Sequence, residues 1–245
     1  LDYSFHPGSE KNYYLLIIGH GLTGNKDSPL ISALAEKVAS EGMSTLRFSF
    51  SGNGNSEGRF KESTISKEIQ DLQSILTAAS EHGWRPIFAG HDIGSAVGVL
   101  TASLDSRIQL LISLAGMVKT EVFCETEFGT VTPGQGYMWG NPSYPLSEEF
   151  VNDMKQIKSV LPRASGVGLP WLLVHGTADE IVPVTDSQLL VQKFETSREL
   201  VEIDGACHQF SGNSTNILVD SVIDWLGRKL QVNKIQKIIQ QEKFI

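Results

Sequence analysis

Short apolar runs bounded by turn residues alternate along this chain with longer segments in which apolar residues recur every three or four positions. The short runs, at residues 14–18, 44–50, 86–89, 110–114, 171–175 and 199–203, predict strands buried on both faces. The longer segments between them predict crossover helices, so the expected class is α/β, with a mostly parallel central sheet covered on both sides. In DSPLISALAEKVASEG, residues 27–42, Ser28-Pro29 is a helix-start signal, Gly42 a stop, and Leu30, Leu34 and Val38 fall on one helical face. Residues 64–82 follow the same logic with Ile65, Ile69, Leu72, Leu76 and Ala79.

The alternation fails at residues 117–168, which are rich in Gly, Pro and aromatics and include TPGQGYMWGNPSYP. A stretch of this length inside a regular α/β pattern predicts an insertion over a functional edge, here a short lid. Residues 213–230 predict an amphipathic helix, and VNKIQKIIQQEKF beyond them reads as helical, with Ile235, Ile238 and Ile239 as a packing stripe. No internal repeat or low-complexity tract interrupts the pattern. The expectation is one domain over residues 1–245, with the lid at about 117–168.

Composition narrows the partners. Twenty Lys and Arg against 28 Asp and Glu give a net charge of −8, and the basic residues are scattered, which argues against nucleic acid and anionic membrane surfaces. The apolar runs fall well short of the roughly 20 residues that cross a bilayer, so a soluble protein is expected. The opening LDYSFHPGSEKNYY lacks a charged segment leading into an apolar core and does not read as a signal peptide; the chain begins without Met, which leaves room for residues upstream, so location is only weakly constrained and cytoplasmic is the default expectation. Cys124 and Cys207 have no CxxC partner, so reduced thiols are expected and a structural metal is not.

The chemistry concentrates in FAGHDIGSAVG, residues 88–98. A strand leads into Gly90, Asp92 and Gly94 in a G-x-D-x-G arrangement, and a small-residue helix follows. A strand turning sharply into a helix has no room for branched neighbours, and it presents its apex side chain above the sheet edge. Asp92 also sits near helix N–H groups that favour negative charge. The plain alternative is that Asp92 simply caps a helix.

These features resemble the α/β-hydrolase superfamily, and four further stretches resemble its working loops. IGHGLTGN, residues 18–25, is similar to the loop that supplies an oxyanion-hole N–H, here from Leu22 or Thr23, with a second N–H from Ile93. RFSFSGNGNSEG, residues 47–58, resembles the glycine-rich turn that follows the next strand; as a dinucleotide fingerprint it misses the spacing by one residue, and no cofactor is implied. VHGTADEIVP, residues 174–183, resembles the acid loop and implies Asp179 as the acid, with Glu180 and Asp204 as rivals; DGACHQF, residues 204–210, implies His208 as the base. The order Asp92, Asp179, His208 is the family's nucleophile, acid, histidine order.

The loops are most similar to the esterase and serine-aminopeptidase branch, whose members carry Ser at the apex. An apex Asp resembles haloalkane dehalogenases and epoxide hydrolases instead, although those families usually have Trp where this chain has Ile93, and their Asn or Pro in the His-Gly loop is missing. The resemblance therefore implies a hydrolase acting on a small or medium organic substrate, with Tyr137, Trp139 and Tyr144 as candidate leaving-group or substrate contacts in the lid. Two other readings stay open. Asp92 stands, by natural or introduced change, where a serine hydrolase has its nucleophile, or the chain is a non-catalytic ligand-binding protein on the same scaffold. His20, His91 and His175 read as structural, His6 and His82 as surface residues, and Cys207 as too close to His208 in sequence to face it.

Overall fold

A computed structural model describes the chain apart from residues 10–12, 195–196 and 243–245, and gives residues 232–242 as backbone alone. Its strands are β1 (Tyr3–His6), β2 (Tyr14–Gly19), β3 (Ser44–Phe48), β4 (Arg85–His91), β5 (Leu110–Leu114), β6 (Trp171–Gly176) and β7 (Arg198–Ile203). They form one sheet in the order β1-β3-β2-β4-β5-β6-β7. Every pairing is parallel except β1 with β3.

Near-continuous apolar strands are explained by a sheet covered on both faces. Leu16, Ile18, Ile87, Ala89 and Ile112 point to one side, where they meet Leu34 of α1 (Pro29–Ser40) and Trp225 of α8 (Asn213–Glu242). Leu15, Ile17, Phe88 and Leu111 point to the other, against Leu72 and Leu76 of α2 (Ile65–Glu81) and Val97 of α3 (Ile93–Ala102). The helix backbone of α8 continues through the stretch that carries Ile235, Ile238 and Ile239, whose side chains lie outside the described residues.

Two departures from the sequence pattern have physical causes. Strand β1 carries its large apolar side chains, Tyr3 and Phe5, on the exposed side, so no buried periodicity announces it. Strand β3 ends before Phe50 because the ladder gives way to local bonds: the Ser49 N–H donates to the Asp2 carbonyl and the Phe50 N–H to His20 Nε2.

Residues 117–168 hold α4 (Thr120–Phe128), a single 3₁₀ turn (Met138–Gly140), α5 (Glu148–Ile157) and α6 (Leu161–Ala164). They are tied together by a ring cluster in which Phe128 meets Phe123, Trp139 and Phe150 at centroid distances of 6.0, 4.9 and 6.4 Å. The last helix before β7 is α7 (Val184–Lys193).

From β2 the chain crosses to β3 on one side and later to β4 on the other. In open α/β sheets such a reversal leaves a crevice at the carboxyl ends of the two strands, and the loops after β2 and β4 enter it.

Leu34 is fully buried between α1 and the sheet. Leu34→Ala should cost about 2–5 kcal/mol of unfolding free energy in urea. By contrast Val122→Ala, at a half-exposed position on α4, should stay within about 0.5 kcal/mol.

Candidate active site

Asp92 occupies the turn between β4 and α3 with φ 52° and ψ −119°, a left-handed backbone that non-glycine residues adopt only when their surroundings enforce it. Its N–H donates to the Leu114 carbonyl at 3.0 Å, and its own carbonyl accepts from the Ser95 and Met117 N–H groups at 3.0 and 3.2 Å. The flanking glycines are steric necessities. A Cβ at Gly90 would lie 2.3 Å from the Gly94 carbonyl oxygen, and one at Gly94 would lie 2.5 Å from that of His20.

The loop after β2 approaches the same turn. A Cβ at Gly21 would stand 2.9 Å from Cβ of Asp92, so only glycine lets the two backbones come this close. As a result, the Leu22 N–H donates to Asp92 Oδ2 at 2.9 Å. The other carboxylate oxygen, Oδ1, is buried, has no hydrogen-bond partner among the described residues, and lies 4.0 Å from His208 Nε2.

His208, on the loop after β7, is oriented by its other ring nitrogen. Its Nδ1–H donates to Asp179 Oδ2 at 2.9 Å, with Oδ1 at 3.1 Å. Asp179 follows β6 and is itself fixed by the Ile181 and Val182 N–H groups, both at 2.9 Å, and by His175 Nε2 at 3.3 Å. His91 Nε2–H donates to the His208 carbonyl at 3.0 Å, with the two rings 4.9 Å apart. Asp92, His208 and Asp179 thus lie in sequence across the carboxyl ends of β4, β7 and β6, with a hydrogen bond on the Asp179 side of the imidazole and a 4.0 Å separation on the Asp92 side.

No protein-family model matches the chain. It is 25% identical over 223 residues to the uncharacterized protein YfhR of Salmonella typhi, covering 86% of this chain and 70% of that protein. It is 27% identical over 223 residues to human mitochondrial palmitoyl-protein thioesterase ABHD10, covering 81% and 68%. Among solved structures it superposes on Est1E from Butyrivibrio proteoclasticus with ferulic acid bound at a TM-score of 0.82, with 23% identity and 94% and 95% of the two chains covered. The chain has the α/β-hydrolase fold. Mouse alpha/beta hydrolase domain-containing protein 10 shares it, at a TM-score of 0.76, 21% identity and coverage of 92% and 93%.

On the α/β-hydrolase scaffold, Leu22, Thr23, Trp139 and Ile181 join Asp92 and His208 around a cleft of about 160 Å³. Thr23 adopts φ 61°, and Ile93 opens α3 immediately after the apex. The three aromatics of residues 117–168 separate. Trp139 reaches the cleft, but its indole N–H already donates to Glu127 Oε2 at 2.7 Å. Tyr144 packs its ring on Phe60 at 5.0 Å, and Tyr137 is 43% exposed; neither lines the cleft. Asp204 accepts from the Thr177 hydroxyl at 3.2 Å, Glu180 lines a different hollow, and Cys207 is exposed with Ser211 as its neighbour. His91, His175 and Glu127 are the supporting residues that motif spacing did not single out for the site. Histidines directly before the apex and four residues before the acid are the signal that could have found two of them.

Charge follows burial. His20 and His91 are both driven down to about 4, chiefly by burial, and are neutral at pH 7. Burial also works against a charge on His208, but the hydrogen bond to Asp179 and the negative charges of Asp92 and Asp179 outweigh it and raise its pKa above 6.5. Burial of Asp179 is likewise outweighed, by hydrogen bonds from His175 and His208, which hold its carboxyl well below the ordinary aspartate range.

An NMR titration should therefore place the His208 midpoint above 6.5, and Asp92→Asn should lower it because one of the nearby charges is gone. The raised His208 pKa contributes stability that is complete below pH 6.5 and fades as pH rises through its native value. The depressed pKa values of His20 and His91 act in the opposite sense, twice over: the unfolded chain binds their protons first. Urea midpoints should accordingly fall as pH drops from about 6.5 to about 4.

Proposed function

We propose that the chain is a hydrolase that cleaves a carbon–heteroatom bond in a small or medium organic substrate, with Asp92 as nucleophile, His208 as base and Asp179 as its partner. The relative named as a palmitoyl-protein thioesterase supports hydrolysis as the reaction type. One observation carries the mechanism: the two oxygens of Asp92 stand in different surroundings, Oδ2 on the Leu22 N–H and Oδ1 free beside His208.

A carboxylate is charged at neutral pH and needs no base before it attacks. Attack on an acyl carbon would give a mixed anhydride, which is no easier to form than the original ester is to hydrolyse. Attack of Oδ1 on a saturated carbon forms a C–O bond as the bond to the leaving group breaks, and leaves an ordinary ester on Asp92.

In the second step a water adds to Cγ of Asp92 while His208 Nε2 takes its proton. The negative charge develops on Oδ2, the oxygen that the Leu22 N–H holds, with the Ile93 or Thr23 N–H as its second donor; such a donor is worth about 3 kcal/mol. The intermediate collapses with cleavage of the Cγ–Oδ1 bond, the departing alkoxide takes the proton from imidazolium, and the new Asp92 carboxyl gives its remaining proton to the leaving group or to solvent, which returns both side chains to their starting state. The order of events suits the electrostatics. Forming the ester removes the Asp92 charge, one of the causes that raise the His208 pKa, so the free-base form of the imidazole is favoured more when water must be activated. Residues 117–168, with Trp139 over the cleft, serve as the lid.

A second reading is favoured by the acyl chemistry in the name of the thioesterase relative: Asp92 occupies the position of a serine on an acyl-hydrolase scaffold. One experiment separates the two. A panel of epoxides, haloalkanes and p-nitrophenyl esters is run as single turnovers in isotopically labelled water, and the peptide containing Asp92 is weighed by mass spectrometry. Label in that carboxylate is the expected result. Turnover that leaves the peptide unlabelled overturns the mechanism, and a gain of ester hydrolysis in Asp92→Ser, with the wild type inert on the whole panel, selects the serine reading.

A further inference from the structure

The buried face of α2 consists of Ile65, Glu68, Leu72, Leu76 and Ala79, so one carboxyl group sits in an otherwise apolar stripe. Glu68 is only 4% exposed, and its Oε2 has no hydrogen-bond partner among the described residues. It faces a cavity of about 10 Å³, room for a single water-sized group. Phe60, Met138 and Phe150 form apolar walls of this cavity, and Gly21, Leu22 and Thr23 form the wall that it shares with the cleft of Asp92 and His208.

We propose that this cavity is a subsite of the cleft that receives one hydroxyl group of the substrate, with Glu68 as its hydrogen-bonding partner. The inference rests on the reading of the cleft as the reaction site, and it specifies the substrate: a molecule with a hydroxyl close to the reacting carbon.

Three observations converge on it. First, Ser63 donates to the Ser51 carbonyl at 2.9 Å and Ser147 accepts from the Phe150 N–H at 3.1 Å, whereas Glu68 Oε2 is buried with no partner among the described residues. Second, the helix that carries it is held firmly. Thr64 caps α2 through the Lys67 N–H, and the Ser66 N–H donates to Asp153 of α5 at 3.1 Å, so the carboxyl cannot swing out to water cheaply. Third, burial, together with the charges of Asp71, Asp92 and Asp153, raises the Glu68 pKa well above the ordinary glutamate range.

A protonated carboxyl offers one O–H donor and a carbonyl acceptor, which matches a hydroxyl that needs one of each. A methyl group in the same place would leave both unpaired, which is how polar sites discriminate. A buried carboxyl without a partner also costs stability, so removing it should strengthen the fold while weakening recognition.

The test uses pairs that differ only by hydroxyl against methyl: glycidol and 1,2-epoxybutane as substrates, glycerol and butane-1,2-diol as equilibrium ligands. The proteins are wild type, Glu68→Gln and Glu68→Met. The wild type should favour glycidol by about tenfold or more in kcat/KM. Glu68→Gln should keep part of that preference, and Glu68→Met should lose it while melting several degrees higher.

Equal preference in wild type and Glu68→Met overturns the proposal, and so does a cavity that holds only an internal water, which would leave discrimination the same in all three proteins. If none of the proteins turns over an epoxide, the mechanism proposed for Asp92 fails separately, and NMR titrations with glycerol and butane-1,2-diol decide the subsite. Tighter glycerol binding in the wild type, lost in Glu68→Met, supports it; no difference between the two ligands overturns it.

Discussion

The site depends on one close approach, between the turn after β2 and the turn after β4. Without side chains at Gly21 and Gly94 the two backbones interlock, and each fixes something the other needs. The loop delivers its Leu22 N–H to a carboxylate oxygen, while the sharp turn is held in a strained conformation by bonds to Leu114, Ser95 and Met117. Left-handed geometry at an aspartate costs about 1–3 kcal/mol, and the sheet around it supplies the constraint. That the approach occurs where strand order reverses is a matter of topology: only there do neighbouring parallel strands send their following loops apart and leave a gap between them.

Around this contact the protein arranges charge by burial rather than by numbers of ionic groups. One imidazole lies between two aspartates, while two further histidines nearby are kept neutral and act as fixed hydrogen-bond linkers, His20 to the Phe50 N–H and His91 to the His208 carbonyl. The neutral pair can hold loops in place without competing for the proton that His208 carries. Asp179 is tied from three directions, which fixes the ring of its partner as firmly as its own.

Much of this was legible in the residue pattern. Six strands are visible as short, mostly apolar runs, and the three residues Asp92, Asp179 and His208 stand after strands, where glycine and turn residues mark the loops. What escaped notice escaped for physical reasons. Strand β1 turns its large side chains outward and makes an edge, so nothing periodic betrays it. Apolar spacing puts Ile69 on the buried face of α2, but the helix turns so that Glu68 takes the core position and Ile69 is only partly covered. A glutamate three residues after one buried Ile and four before a buried Leu was the available signal, and hydrophobic periodicity discards it by design. The separation of Tyr137, Trp139 and Tyr144 depended on the local fold of a stretch without periodicity, and could be seen only in three dimensions.

The tethered indole at Trp139 has an optical consequence. Trp171 and Trp225 are sealed in the interior, whereas Trp139 is about half exposed at the mouth of the cleft and is bonded to a carboxylate on α4. Its emission is therefore sensitive to whatever displaces water from the cleft mouth or pulls α4 away, while the interior indoles, and the partly buried Trp84 outside the cleft, supply the background. The molecule carries a built-in fluorescent gauge of occupancy, readable without any attached dye.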